Sequence, residues 1–513
     1  MPDLARARRR QGLVSLVVVA LVAAPLAGQE PAVDPAGGAS VTPIRGEAAL
    51  ATRLDRLLED PALERAHVGL AVQVAETGEV LYESEAEKRF VPASNTKIVT
   101  AAVALDALGP DFRWTTRLVA DGPIRDGVLE GDLWIVGGGD PVLERSVVAA
   151  WPRLLRDAGI RRVTGALIGD DRAFEPWQWS EGWMWDDLYG GWAAGVSALQ
   201  LHPNTVRARL IPAAALGEPA RLILPERTPP LPMRNRVRTG APGSEVRLRF
   251  LPPPEGGPVE LVGWVPAGPD TVPLFLAAPH PTVYLLETVA GALAAEGIEV
   301  GGAVRRARDG EAPARPAWSA EHRSPPLSEV LAEMMKPSDN QIAETMLRTV
   351  GREAGDGGSA TDGLRVVEGT LGAWGIEPGA VSLTDGSGLS RYNEVTPNAV
   401  VRLLRAMWRH PHFDAFESSM PVAGVDGTLR RRLLGTPGAR NVKAKTGSLS
   451  SVRALSGYLR DGAGETLVFS LLLNGYDAPG DVAVALEDLL VEQLALYRRP
   501  VEPGWPAYRE TGR

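Results

Sequence analysis

The stretch Val91-Pro-Ala-Ser-Asn-Thr-Lys97 opens an apolar run that continues to Leu108 and stops at Gly109-Pro110. Proline and small residues ahead of such a run mark a helix start, and Gly-Pro marks its end. A helix is therefore predicted from Pro92-Ala93-Ser94 to Leu108. Ser94 and Lys97, three residues apart, share one face of its first turn. Backbone N–H groups at a helix N-terminus favour developing negative charge. A serine hydroxyl needs an adjacent base to become a good nucleophile, and an amine is such a base only where burial or a nearby cation lowers its pKa.

Working outward, His67 to Val74 and Glu79 to Tyr82 read as strands around the turn Glu76-Thr77-Gly78, after a helical stretch at Ala48 to Leu58. The other end of the chain repeats the pattern. Arg453 to Leu459 and Thr466 to Leu473 read as strands joined by Asp461-Gly462-Ala463-Gly464, and Asp481 to Tyr497 reads as a helix. The expectation is an α/β (α+β) domain in which N- and C-terminal strands share one antiparallel sheet flanked by helices. It would comprise residues 48–112 and 323–498. Residues 113–322, rich in Gly, Pro and short β-like runs, read as an inserted mainly-β region of two small domains, with loops and edge strands at Pro229 to Pro254.

The 513 residues carry a net charge of −9, which gives no electrostatic reason to expect a nucleic-acid partner. There is no cysteine, so disulfides, thiolate nucleophiles and cysteine metal sites are excluded. Arg6, Arg8, Arg9 and Arg10 followed by the apolar run Gly12 to Leu26 read as an export signal over residues 1–28, with an uncleaved anchor as the alternative. The location implied is periplasmic or extracellular, with at most peripheral membrane contact. Residues 29–47 read as a disordered lead and 499–513 as a tail.

Three short motifs occur in order: Ser94-Asn95-Thr96-Lys97, Ser338-Asp339-Asn340 and Lys445-Thr446-Gly447. Separately they read as a helix cap, a loop and a turn. Together, S-x-x-K, S-x-N and K-T-G form the active-site set of penicillin-interacting serine enzymes. Lysine usage sharpens this. Forty-nine of the 54 basic side chains are arginine, and the five lysines are Lys88, Lys97, Lys336, Lys443 and Lys445. Lysine can lose its proton in a protein and arginine cannot, so the two motif lysines suit proton-transfer work. Competing signals are weak: no G-x-S-x-G elbow and no H-E-x-x-H are present, and Gly137-Gly138-Gly139-Asp140 lacks the Lys-Ser/Thr of a phosphate loop. Neither a cofactor nor a metal is expected.

Five segments carry a closer likeness: Val91 to Lys97, Gly131-Asp-Leu-Trp-Ile-Val-Gly-Gly-Gly-Asp-Pro141, Lys336-Pro-Ser-Asp-Asn340, Asp385-Gly-Ser-Gly-Leu-Ser-Arg391 and Lys445-Thr-Gly-Ser-Leu449. In these the chain resembles the D-alanyl-D-alanine carboxypeptidase/endopeptidases of peptidase family S13, the low-molecular-mass class C penicillin-binding proteins. The likeness extends from about Ala49 to Tyr497. It implies a transpeptidase-like domain carrying the motifs, with the insertion beside the active site. It also implies a serine D-Ala-D-Ala peptidase acting on peptidoglycan stem peptides and covalently inhibited by β-lactams.

Carried over by resemblance, Ser94 forms the acyl-enzyme, Lys97 takes its proton and Ser338 relays a proton to the leaving D-alanine. Asn340 bonds the substrate amide. Lys445 and Thr446 hold the terminal carboxylate, Gly447 lets the strand approach, and the N–H groups of Ser94 and Ser448 form the oxyanion hole. Arg391 is expected to bind an anionic group of the stem, against the reading of a plain surface arginine. The Trp177 to Trp192 segment, with Asp186 and Asp187, is where the family places a pocket for a stem-peptide amine, and Asp186 is the chosen contact. An aromatic core of the insertion is the competing reading of its tryptophans. Pro337 predicts extended backbone at Lys336. A β-lactamase, or a catalytically silent wall-binding or sensor protein, remains the alternative function. The first shares the acylation step but needs a second carboxylate motif that is not evident. The intact motif set argues against the second.

Overall fold

The computed structural model describes residues 43–225, 231–253 and 256–499. The expected export signal and nearly all of the tail lie outside these residues. Residues 208–224 and 232–274 form a compact unit of their own. In it the strand Val259–Pro266 lies between Met233–Gly240, parallel, and Arg247–Leu251, antiparallel. Both strands read from the proline-rich stretch are thus edge strands of a three-stranded sheet.

The remaining, larger unit is organised around two five-stranded sheets. The first is antiparallel throughout, in the order Lys443–Leu449, Val452–Arg460, Thr466–Asn474, His67–Val74, Val80–Ser84. The chain's two ends therefore meet in one sheet, with Leu70 opposite Leu471 and Val72 opposite Phe469. The second sheet is mixed and runs Val304–Arg306, Leu167–Asp170, Asp132–Gly137, Thr115–Asp121, Pro316–Arg323. Two helices, Arg145–Asp157 and Pro281–Ala295, also fall within the inserted stretch.

The helix Thr96–Leu108 runs through the main core, and every residue from Thr96 to Leu105 is buried. Thr96, Lys97, Thr100 and Asp106 apart, its sequence is apolar on all sides, as suits a helix enclosed by other elements. It packs with the helices Leu327–Met335, Asn340–Ala354 and Pro397–Trp408 in one hydrophobic cluster that includes Ile98, Val103, Met334, Met346 and Leu404. Gly109, at φ 75°, ends the helix with its N–H on the Leu105 carbonyl.

Three local expectations are corrected. The α-helix begins at Thr96, because Ala93–Asn95 form a tighter 3₁₀ turn in front of it. Lys336 is helical (φ −66°, ψ −54°) despite Pro337, since its N–H bonds the Ala332 carbonyl at 3.1 Å and its ammonium pairs with Asp426. The end of the expected disordered lead is structured: Ile44–Arg45 pairs in parallel with Tyr497–Arg498, with Ile44 and Tyr497 both buried.

Candidate active site

The three motifs, separated by 244 and 107 residues in sequence, converge. Lys97 Nζ donates to Ser94 Oγ at 3.1 Å, to Asn340 Oδ1 at 2.6 Å and to the Ser387 carbonyl at 2.6 Å. Lys445 Nζ donates to Ser338 Oγ at 2.8 Å and to the Thr446 carbonyl at 2.8 Å. Each amine thus holds one motif serine, and Asn340 joins the first motif to the second.

Both lysines are fully buried. Burial pushes the Lys97 amine down to about 8, against the pull of Asp385, Asp339 and Glu344, which favour its cation. Burial, reinforced by repulsion from Lys97, holds Lys445 well below the usual lysine range. The lowered value lets part of the Lys97 amine exist in its neutral form, which beside a hydroxyl can accept its proton; the protonated form cannot.

The local backbone explains how the side chains are aimed. Ala93 and Ser338 adopt positive φ, 47° and 68°, which non-glycine residues reach at a cost of about 1–3 kcal/mol. One precedes Ser94, the other is itself a motif residue. Asp339 caps the Asn340–Ala354 helix by accepting from the Ile342 N–H at 2.9 Å, which fixes Asn340 at the helix start. Its other oxygen meets His202 Nε2 at 3.2 Å. Lys443–Leu449 is an edge strand packed against the Ala93–Asn95 turn. At Gly447 a Cβ would lie 2.4 Å from the Pro92 carbonyl oxygen, so only glycine lets this strand come so close to Ser94. Thr446 Oγ1 donates to Thr428 Oγ1 at 2.8 Å, and the exposed Ser448 accepts from Arg453 at 3.0 Å.

The tryptophan-rich segment is also at the site. The Trp192 carbonyl accepts from Asn340 Nδ2 at 2.8 Å, and Trp192 Nε1 donates to Asp187 at 3.0 Å. Burial raises the Asp187 pKa, helped by Asp186 and opposed by Trp192 and Arg391. Asp187, next to the Asp186 singled out from sequence, is thus linked to Asn340 through Trp192 and feels the charge of Arg391. Asp186 Oδ1 is hidden without a hydrogen-bond partner. Arg391 also donates to the Ser450 carbonyl at 2.9 Å. Trp177 and Trp185 are 74% and 58% exposed, so the segment is no aromatic core.

Sequence reasoning assigned no part to Glu344, Ser180, Trp183 or Ser387. Glu344 stands one helical turn after Asn340, a spacing that places both on one face. Among the described residues no cluster of three or more potential metal ligands occurs, and no helix is long and apolar enough to cross a membrane.

A Ser–Lys pair with its lysine buried at the foot of a core helix, faced by a Lys-Thr-Gly edge strand and a Ser-x-Asn loop, defines the class of penicillin-recognising serine enzymes. Within it, the chain belongs to the D-Ala-D-Ala carboxypeptidase 3 (S13) family, whose profile matches residues 50–493. It is 35% identical to the D-alanyl-D-alanine carboxypeptidase of Actinomadura sp. (strain R39) over 97% of this chain and 94% of that one. Its fold matches penicillin binding protein 4 (dacB) from Haemophilus influenzae with a TM-score of 0.78 and 28% identity, covering 86% of this chain and 99% of the other. A structure of that protein complexed with a β-lactam matches with a TM-score of 0.72 and 26% identity over 87% and 99%. The protein is a serine-type D-Ala-D-Ala carboxypeptidase acting on peptidoglycan stem peptides, as the family resemblance implied.

Proposed function

We propose that Ser94 attacks the penultimate D-Ala carbonyl, or a β-lactam ring, while Lys97 takes its proton. The observation that carries this reading is the fully buried Lys97, with an amine near 8, at 3.1 Å from Ser94 Oγ. The hydroxyl hydrogen moves to Lys97 Nζ as the Oγ–C bond forms. The leaving D-alanine amine takes a proton through Ser338, which Lys445 holds at 2.8 Å. Water then hydrolyses the ester and Ser94 recovers its proton.

Lys445 and Thr446 bind the substrate's terminal carboxylate, and the N–H groups of Ser94 and Ser448 receive the developing oxyanion, a contribution of about 3 kcal/mol per donor in other hydrolases. Asn340 orients the substrate amide. Asp187 takes the stem-peptide amine and Arg391 an anionic group of the stem. The catalytic domain is the discontinuous 48–112 and 323–498, with the insertion 113–322 supplying the stem-facing segment. Export by the N-terminal signal places the enzyme at the wall, with at most peripheral membrane contact.

Fluorescent penicillin tests the nucleophile directly. Labelling of the wild type and none of Ser94→Ala is expected, and persistent labelling of that variant refutes the assignment. Digestion of purified muropeptides, read by mass, tests the peptide reaction through release of terminal D-alanine.

A further inference from the structure

Glu344 is a fully buried carboxylate. Its Oε1 accepts the backbone N–H groups of Gly386 at 3.0 Å and Ser387 at 2.8 Å, and its Oε2 accepts from Ser180 Oγ at 2.5 Å. The carbonyls of those two backbone-donor residues face the catalytic helix. Ser387 accepts from Lys97 at 2.6 Å and Gly386 from Thr100 Oγ1 at 2.7 Å. A second buried carboxylate, Asp385, closes the same turn from inside. It accepts the N–H groups of Gly388 at 2.8 Å and Ser390 at 2.7 Å, and Trp183 Nε1 at 3.0 Å. Gly388 admits no substitute here, since a Cβ would lie 1.8 Å from the Ala93 carbonyl oxygen.

Burying Glu344 is costly. Its cationic neighbour Arg348 stands 3.7 Å away, and Arg348 is shared with Glu175 at 3.5 Å. An apolar residue would fill the space at lower cost, whereas a carboxylate can hold two adjacent backbone N–H groups at once. We infer that Glu344 is a positioning residue for Lys97. With Asp385 it fixes the 385–388 turn so that the Ser387 carbonyl aims the Lys97 amine at Ser94. The tryptophan-rich segment braces both carboxylates through Ser180 and Trp183. The inference rests on Lys97 being the base.

The charged groups facing Lys97 are Asp385, Asp339 and Glu344, with Lys445 opposite. Those facing Glu344 are Asp385, Arg348 and Lys97 itself. The test uses the full chain. Acylation by fluorescent penicillin is followed at varied concentration, to separate the limiting rate from the half-saturating concentration, and from about pH 6 to pH 10. Glu344→Ala is expected to lower the limiting rate roughly 100-fold, with half-saturation changed less than about 3-fold. Glu344→Gln keeps an oxygen for the two N–H groups but loses the charge. It is expected to retain most of the rate while its acid limb moves to lower pH, because Lys97 loses a carboxylate that favours its cation. Trp183→Phe, which keeps the ring but not the donor, is expected to slow the limiting rate several-fold with the acid limb unmoved.

A wild-type limiting rate in Glu344→Ala, or a limiting rate in Glu344→Gln as low as in Glu344→Ala, overturns the inference. If Glu344→Ala does not fold, the other two variants decide. Labelling of Ser94→Ala would instead sink the underlying catalytic reading, whatever Glu344 does.

Discussion

Lys97 Nζ lies 3.1 Å from Ser94 Oγ, at the second residue of a helix whose first ten residues are all buried. Burial lowers that amine to about 8, and only its neutral form can take the serine proton. The neutral fraction falls as pH drops below 8, so penicillin acylation should slow about tenfold between pH 7 and pH 6. Lys97→Arg keeps the charge but cannot deprotonate, and should lose on the order of 10³-fold in acylation rate. Stopped-flow or gel-based labelling across pH checks both; a flat profile to pH 6 would remove Lys97 as the base.

Gly447 offers a steric test. An added methyl meets the Pro92 carbonyl oxygen at 2.4 Å and Ala454 Cβ at 3.0 Å, so the strand must move away from the serine turn. Gly447→Ala should destabilise by about 1–3 kcal/mol and reduce penicillin labelling more than about tenfold. Thermal unfolding and labelling on one sample separate the two effects. Unchanged labelling would mean the close approach is not needed.

The two neighbouring acids of the tryptophan-rich segment should behave differently. Asp187→Asn is expected to cost about tenfold or more in kcat/KM on a stem peptide bearing a free amine. The loss should vanish when the amine is acetylated, with penicillin labelling preserved. Asp186→Asn should have a smaller effect, because its Oδ1 is hidden. Equal losses in both variants would contradict the assignment.

His202 and Asp339 predict a pH-dependent stability. Burial disfavours the His202 cation, but Asp339, with Glu333 and Glu144, outweighs it and raises the His202 pKa. The Asp339 pKa is lowered, since His202, the Ile342 N–H and the Lys97 charge outweigh its burial. The histidine's contribution is full below its ordinary value near 6.5 and fades as pH rises through the raised one. The aspartate's is full above its ordinary value near 3.8 and fades as pH falls through the lowered one. His202→Gln should therefore cost about 1–2 kcal/mol at mildly acid pH and less at alkaline pH. Urea unfolding at the two pH values measures the difference, and equal losses would refute the ion pair.

Sequence alone determined whatever depends on local spacing. Ser94 and Lys97 share a helix face because three residues make nearly one turn. Gly109 stops that helix because it alone reaches positive φ cheaply. The strands at both ends were legible from alternation and turn residues, and the motif order pointed to the family. What depends on approach between distant segments was decided only by tertiary structure. The drop in the Lys97 pKa comes from complete burial. Lys336 stays helical against its proline because a helix bond and an ion pair to Asp426 outweigh the local preference. Asp187 and Asp186 are adjacent and chemically alike, and only packing turns one toward Trp192 and hides an oxygen of the other. Glu344 acts on residues more than forty positions away, through backbone N–H groups that carry no mark in the sequence.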